Sequence, residues 1–317
     1  MMSNLTAVSE IILVGFPGLP DAFNGLVSTV MFFAYMISLT TNGTVIFLVT
    51  FNENLHQPMY LFIANLATSD LLFDTVTLPK LIARYWFGAS TIPLRMCFFQ
   101  IFLVHYFGGL DSFLLMLMAA DRYVAICHPL RYTSIVTNKV VTISCGFCWT
   151  ILSPSTNIAA TVLASQIPLC GPNKVNSLFC GYTAYAALAC TDISRPRKVV
   201  FVFAMVVLLV PLGLILVSYI KIIVTISMTR SESLRRAFST CLTHLLVIAF
   251  YFAPRIFMYI VSNIPFVRIK PDVGALLLYL YSFVPHMANP IIYFLRTKEI
   301  KQTLRRALQG SKFREKA

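Results

Sequence analysis

The stretch IFLVHYFGGLDSFLLMLMAADRYVAICHPLRY, residues 101–132, decides how the chain must be read. Its first twenty residues hold one charged side chain, Asp111, and it then meets an acid, a base and a phenol in succession: Asp121, Arg122 and Tyr123. A helix needs about 20 apolar residues to cross hydrocarbon, and charges at the edge of such a run mark the return to water. Asp111 and Arg122 are eleven residues apart, about three turns at 3.6 residues per turn, so both face one side of the helix. Asp121 can pair with Arg122 at the water boundary, and a pair that can open is a switch element.

Six further runs of the same kind accompany it, so the spans are expected at 24–50, 58–82, 97–121, 140–163, 199–226, 238–262 and 273–295. The composition agrees: of 317 residues 58% are hydrophobic and 12% charged, about half the charged fraction of a soluble domain. Lipid cannot satisfy unpaired backbone groups, which excludes an open sheet, and the runs do not alternate as barrel strands must. The expected fold is an all-α membrane protein, a bundle of seven transmembrane helices.

The N-terminus, MMSNLTAVSE, lacks the basic region and cleavage site of a removed signal peptide. With residues 1–23 outside, the inner loops and tail outweigh the outer segments in net positive charge, as the positive-inside rule asks. Asn4 then sits in a usable glycosylation sequon, Asn4-Leu5-Thr6. Anionic lipid on the inner leaflet accounts for the net charge of +13 without a nucleic-acid partner. Of eight cysteines, Cys97, Cys170, Cys180 and Cys190 fall on the oxidising side, an even set that reads as two disulfides with three possible connectivities. The helix interiors carry Asp70, Asp74, Asp111 and Arg255. Asp70, Asp111, Asn289 and Asn42 fall at similar depth, and two carboxylates at one depth repel unless a cation or proton lies between them. A cluster holding Na⁺ or sharing a proton is therefore expected.

Higher on the third helix than Arg122, and roughly on one face, lie His105, Gly108, Gly109 and Ser112. Adjacent glycines inside a helix cost about 1 kcal/mol each against alanine, so either a second helix packs there or a ligand needs the room. Arg255, beside the kink at Pro254, is a guanidinium in the outer half of the sixth span; it wants a carboxylate, phosphate or sulfonate, from a ligand or from Asp272. No HExxH, GxSxG or P-loop is present, and five scattered histidines make no metal cage, so an enzyme is not expected. A channel or transporter would show inverted repeats and a continuous polar stripe, and neither is visible.

From about residue 20 to 310 the chain resembles a rhodopsin-like (class A) G-protein-coupled receptor, and within that class an olfactory receptor. Asp121-Arg122-Tyr123 and Asn289-Pro290-Ile291-Ile292-Tyr293 match the class motifs of the third and seventh helices, and Asn42, Asp70 and Trp149 match markers of the first, second and fourth. LHQPMYLFIANLATSD, MAADRYVAICHPLRY, VSYIKII, RRAFSTCLTHL and NPIIYFLRTKEIK are similar to the longer olfactory signature. Thr41 stands where glycine is usual, Ala120 where an aromatic is commoner, and Tyr251 where most of the class carries Trp. An acid at Asp111 below His105 resembles the fish-like (class I) branch, which favours water-soluble odorants.

The resemblance implies disulfides Cys97–Cys180 and Cys170–Cys190 and a short amphipathic helix in the cytoplasmic tail, 296–317, after a receptor domain of 24–295. It implies a plasma-membrane receptor for a small-molecule odorant that activates a heterotrimeric stimulatory G protein and raises cyclic AMP. Asp121, Arg122, Tyr123, Asn289, Pro290 and Tyr293 would form the activation switch, with Arg235 and Arg236 beside the G-protein cavity. Asp70, Asp111 and Asn289 would hold Na⁺, and the ligand would meet His105, Gly108, Gly109, Ser112, Tyr251, Arg255 and Tyr259. Val104 replaces the acid of amine receptors and Phe283 the retinal-linked lysine. His105 with Arg255 suits an anionic ligand. The alternative is a lipid or metabolite receptor outside the nose on the same scaffold.

Overall fold

A computed structural model describes residues 8–170, 173–229, 232–264, 269–296 and 299–306, excluding the side chains of 229, 232–244 and 295–296. Seven helices long and apolar enough to cross a membrane build the bundle. They are α1 (Asn24–Phe51), α2 (Pro58–Phe87), α3 (Leu94–Cys127), α4 (Asn138–Ser165), α5 (Ser194–Thr229), α6 (Glu232–Asn263) and α7, which runs as Pro271–Ser282 and then Val284–Arg296. Residues 299–306 are helical beyond it.

Several helices run further than their apolar stretches. Hydropathy stops at Arg84, Arg95 and Arg122, whereas the backbone ladder continues until a cap ends it. In α2 that cap is Gly88, which takes φ +68° and returns its N–H to the Ala83 carbonyl. Thr137 starts α4 by accepting the Val140 N–H. Mid-way along α4, Cys148–Leu152 widen into a π turn just before Pro154. α7 breaks at Phe283, two residues before Pro285.

The apolar surface points outward as well as inward. On α5, Val202, Val206, Leu209, Val210 and Leu214 are all exposed, a face that only a non-aqueous surrounding suits. Inside, α1, α2, α3 and α7 bury polar groups: Asn42, Asp70, Asp74, Asp111, His286 and Asn289 are each no more than 5% exposed.

One end of the bundle carries a cap that the sequence reading did not foresee. β1 (Glu10–Leu13) runs between β2 (Thr91–Pro93), antiparallel, and β3 (Lys174–Val175), parallel. Ile11 pairs with Ile92 and Leu13 with Val175, and all four side chains are buried. Disulfides Cys97–Cys180 and Cys170–Cys190 fasten the α4–α5 loop to the top of α3 and to itself. These are the pairings that the receptor resemblance implied. Cys127, Cys145 and Cys148, in or at the end of helices, are free.

Candidate functional site

Under the disulfide end a cavity of about 320 Å³ opens between α3, α4, α5, α6, α7 and the capping loop, at the small end of the range for ligand sites. His105, Gly108, Gly109, Arg255 and Tyr259, five of the residues expected to meet ligand, line it. His105 Nδ1 donates to the Ile101 carbonyl at 2.8 Å, so in the neutral ring Nε2 is the acceptor. The capping loop adds Ser177, Phe179 and Tyr182, and Lys270 stands in the wall. Gln100 on α3 holds the loop by accepting the Cys180 N–H at 2.8 Å.

Arg255 is 6% exposed. Its guanidinium lies over the Tyr251 ring at 3.9 Å, and Nη1 donates to the Gly108 carbonyl at 3.4 Å. It makes no pair with Asp272, whose carboxylate instead accepts the Gly18 N–H at 2.6 Å. Among the described residues no carboxylate lies in ion-pair range of Arg255, and its buried Nε has no partner.

The two glycines answer differently. A Cβ on Gly109 would come within 2.6 Å of Asn157 Nδ2, so this glycine lets α4 approach α3. A Cβ on Gly108 would meet only the end of Arg255, at 3.3 Å, and its carbonyl is an acceptor for α6. Helix packing and room for a charged group thus each explain one of the pair.

Ser112 and Tyr251, also expected at the ligand, sit below the cavity rather than in its lining. Ser112 Oγ and Tyr251 Oη lie 3.0 Å apart, and the Tyr251 hydroxyl donates to the Gly108 carbonyl. They form a floor that ties α6 to α3. Asp111, the residue before Ser112, belongs to the cluster beneath.

That cluster contains Asp70, Asp111 and Asn289, with Asn42 beside them, and two residues that the reading of the sequence did not place there: Asp74 and His286. Pro290 has no N–H, so the His286 carbonyl lacks its helical partner; Asn42 Nδ2 supplies a hydrogen bond to it at 3.1 Å. The His286 ring enters between the acids. Its Nδ1 donates to Asp74 Oδ1 at 2.8 Å, and Ser38 Oγ donates to Asp74 Oδ2 at 2.5 Å. Ser69 Oγ donates to Asp111 Oδ1 at 2.6 Å and Asn289 Nδ2 to Asp70 Oδ2 at 3.0 Å. The remaining oxygens, Asp70 Oδ1 and Asp111 Oδ2, and His286 Nε2 are buried without hydrogen-bond partners. The two open oxygens and the imidazole nitrogen face one shared space, where Na⁺ was expected between Asp70, Asp111 and Asn289. The signal for both missed residues was present: Asp74 follows Asp70 by one turn, and His286 precedes Asn289 by one turn in an apolar span.

At the opposite end Arg122 Nη2 stands 3.3 Å from Asp121 Oδ2, so the expected pair is closed. Tyr132 donates to Asp121 Oδ1 at 2.8 Å. Burial, and then the Asp121 carboxylate, push the Tyr132 phenol up, which keeps it a donor at physiological pH. Tyr123 faces His128 Nε2 at 3.2 Å, with Lys221 over its ring. Tyr293 is buried on α7. The Trp149 indole donates to Asn65 Oδ1 at 2.9 Å, fixing α4 on α2. Asn4 and residues 307–317 lie outside the described residues, as do the side chains of Arg235, Arg236 and Cys241.

A seven-helix bundle with a capped cavity at one end and a closed acid–base pair at the other is the architecture of the rhodopsin fold. The backbone matches squid rhodopsin with a TM-score of 0.73 and 17% identity, over 92% of this chain and 87% of that one. The chain belongs to the olfactory receptor family: the family model described as olfactory receptor matches residues 31–311. It is similar to human olfactory receptor 2A12, 37% identical over 97% of this chain and 98% of that one. Mouse olfactory receptor 1E16 is 35% identical over 96% and 95%. The protein is thus a multi-pass plasma-membrane receptor of the G-protein-coupled kind, with odorant-receptor function through a small-molecule ligand and a G protein, and not an enzyme.

Proposed function

We propose that this odorant receptor takes small, water-soluble anions, carboxylates first among them, in the cavity beneath its disulfide cap. The observation that carries this is the charge of the cavity wall. Arg255 and Lys270 both line it, and among the described residues no Asp or Glu does. A buried guanidinium without a carboxylate partner is costly, and an anionic ligand supplies the missing charge and acceptors. The Tyr259 hydroxyl would add a donor, with Phe179 and Val207 as apolar wall; His105, whose Nε2 is an acceptor in the neutral ring, gives an anion no hydrogen bond, contrary to what its pairing with Arg255 suggested.

In this reading the disulfide end faces outward and the Arg122 end faces the cytoplasm, supported by the distribution of basic residues along the chain. Arg255 stands one turn from Tyr251 on α6. A ligand that draws Arg255 away from Gly108 loosens the tie between Tyr251 and α3. It therefore favours the state in which α6 has moved, and the gain equals the ligand's preference for that state. Opening of the Asp121–Arg122 pair then exposes Arg122 and Tyr293 to a stimulatory heterotrimeric G protein, and cyclic AMP rises.

The test is cyclic AMP in cells expressing the receptor with an olfactory G protein, over a panel of acids, sulfates, prostanoids, amines and neutral odorants. Acids are expected to activate wild type, and Arg255→Ala, at unchanged surface display, is expected to lose that response. Activation by amines or neutral odorants that survives Arg255→Ala would refute the anion pocket.

A further inference from the structure

We infer that the cluster beneath the cavity is a divalent transition-metal site, of the Zn²⁺ type, ligated by Asp70 Oδ1, Asp111 Oδ2 and His286 Nε2. Such a site is independent of which odorant the cavity above takes. These three atoms come from α2, α3 and α7 and all lie within 4.8 Å of one another. Each belongs to a side chain that is 1% exposed, and each lacks a hydrogen-bond partner. His286 Nε2 is 3.5 Å from Asp70 Oδ1 and 3.9 Å from Asp111 Oδ2. Both separations are too long for strong hydrogen bonds. They approach the edge of a tetrahedron built on bonds of about 2.0–2.2 Å, which is roughly 3.3–3.6 Å. A small inward movement of each side chain would complete three corners, and the fourth would remain for water.

The supporting shell points the same way. In metal sites, groups behind the ligands fix their orientation and protonation. Asp74 accepts from His286 Nδ1 at 2.8 Å, which aims the other ring nitrogen at the two acids. Ser69 holds the far oxygen of Asp111 at 2.6 Å, and Asn289 holds that of Asp70 at 3.0 Å. Every ligand is thus anchored through its second polar atom while its first is left open. Charge favours two positive units over one: Asp70, Asp74 and Asp111 share one buried space, and a neutral imidazole adds none. Imidazole nitrogen is a good ligand for Zn²⁺ and its neighbours, whereas Na⁺ would be served by oxygen alone. The cluster adjoins the cavity: Phe73 and Ser282 line the cavity, and the Phe73 ring packs edge-on against the His286 ring at 4.9 Å. A bound ion would pin α2, α3 and α7 together directly under the Ser112–Tyr251 floor.

The experiment uses the full-length receptor in lipid nanodiscs, stripped with chelator and then titrated with Zn²⁺, Co²⁺ or Na⁺. Co²⁺ is expected to give the intense visible absorption of a low-coordinate site with a nitrogen ligand. Micromolar Zn²⁺ is expected to raise the Tm by several degrees. His286→Asn should abolish both effects. Asp74→Asn, which keeps all three ligand atoms, should weaken Co²⁺ binding about 10- to 100-fold. Three results would overturn the proposal. A Zn²⁺ shift of equal size in wild type and His286→Asn would mean adventitious binding elsewhere. Stabilisation by Na⁺ with no Co²⁺ spectrum would make the site monovalent. No response of folded wild type to any cation would make protonated His286 the cluster's own counter-charge. Should His286→Asn fail to fold, the wild-type Co²⁺ spectrum and the Asp74→Asn affinity decide the matter.

Discussion

Two polar regions share the interior of one bundle, and they are built on opposite rules. In the lower, three acids surround a histidine, and each of these four side chains is held from behind by Ser38, Ser69, Asp74 or Asn289. In the upper, Arg255 and Lys270 face an open volume of about 320 Å³ with no acid among the described residues of the wall. The lower region is negative, closed and orientationally fixed; the upper is positive and hollow. Between them lie the contact of Ser112 and Tyr251, the hydrogen bond of Tyr251 to Gly108 and the Phe73 ring. Placing opposite charges above and below one weak floor lets an anion above and a cation below both act on α3, the former through α6 and the latter through α2 and α7.

The contrast is broken most directly at Arg255. Arg255→Ala is expected to raise the half-maximal concentration of a carboxylate agonist at least about 30-fold, since removing one partner of a buried charge contact costs about 2–5 kcal/mol. Dose–response curves read this, and an unchanged curve would make the upper region a packing feature. The next effect falls on the glycines. Gly109→Ala drives a Cβ into Asn157 and is expected to lower stability by about 1–3 kcal/mol. Gly108→Ala meets only the flexible end of Arg255, so thermal unfolding should distinguish the two neighbours, with agonist potency the more sensitive readout for Gly108.

A smaller change is expected at the floor. Tyr251→Phe removes a hydroxyl that serves Gly108 and Ser112, worth about 1 kcal/mol, so ligand-free cyclic AMP should rise by roughly fivefold. Unchanged basal signalling would mean that the two regions are not coupled through Tyr251. The smallest effect belongs to Tyr132→Phe, which deletes one hydrogen bond to Asp121 at the water boundary but leaves Arg122 in place. Its expected cost is at the low end of about 0.5–1.5 kcal/mol, read as a two- to threefold rise in basal signal. A larger rise than that of Tyr251→Phe would move the control of the resting state from the floor to the Arg122 end.

Much of the upper region could be read from the chain, because Arg255 is expensive anywhere in an apolar span and His105, Gly108 and Gly109 share a helical face. Its partners could not. Whether Arg255 met Asp272 depended on what else Asp272 touched, and Gly18, 254 positions away, holds that carboxylate. Ser112 and Tyr251 were grouped with the ligand by face, but their mutual hydrogen bond closes them off below it. In the lower region Asp70, Asp111 and Asn289 were legible by depth. His286 and Asp74 were not joined to them, since depth orders residues along a helix and says nothing of how far each helix is rotated about its axis. β1 was silent for a different reason: four residues have no amphipathic signal until Thr91–Pro93 and Lys174–Val175 come to flank them.

The sequence by itself determined the spans, the motif residues toward the C-terminal ends of α3 and α7, and the family, because these rest on local hydropathy and on residues in order. Only the tertiary structure decided which buried groups meet. Asp74 and His286 are 212 positions apart, and their contact exists because α2 and α7 turn particular faces to each other. Ligand charge above and cation chemistry below both follow from that rotation, which is fixed by packing among seven helices and is written in no one of them.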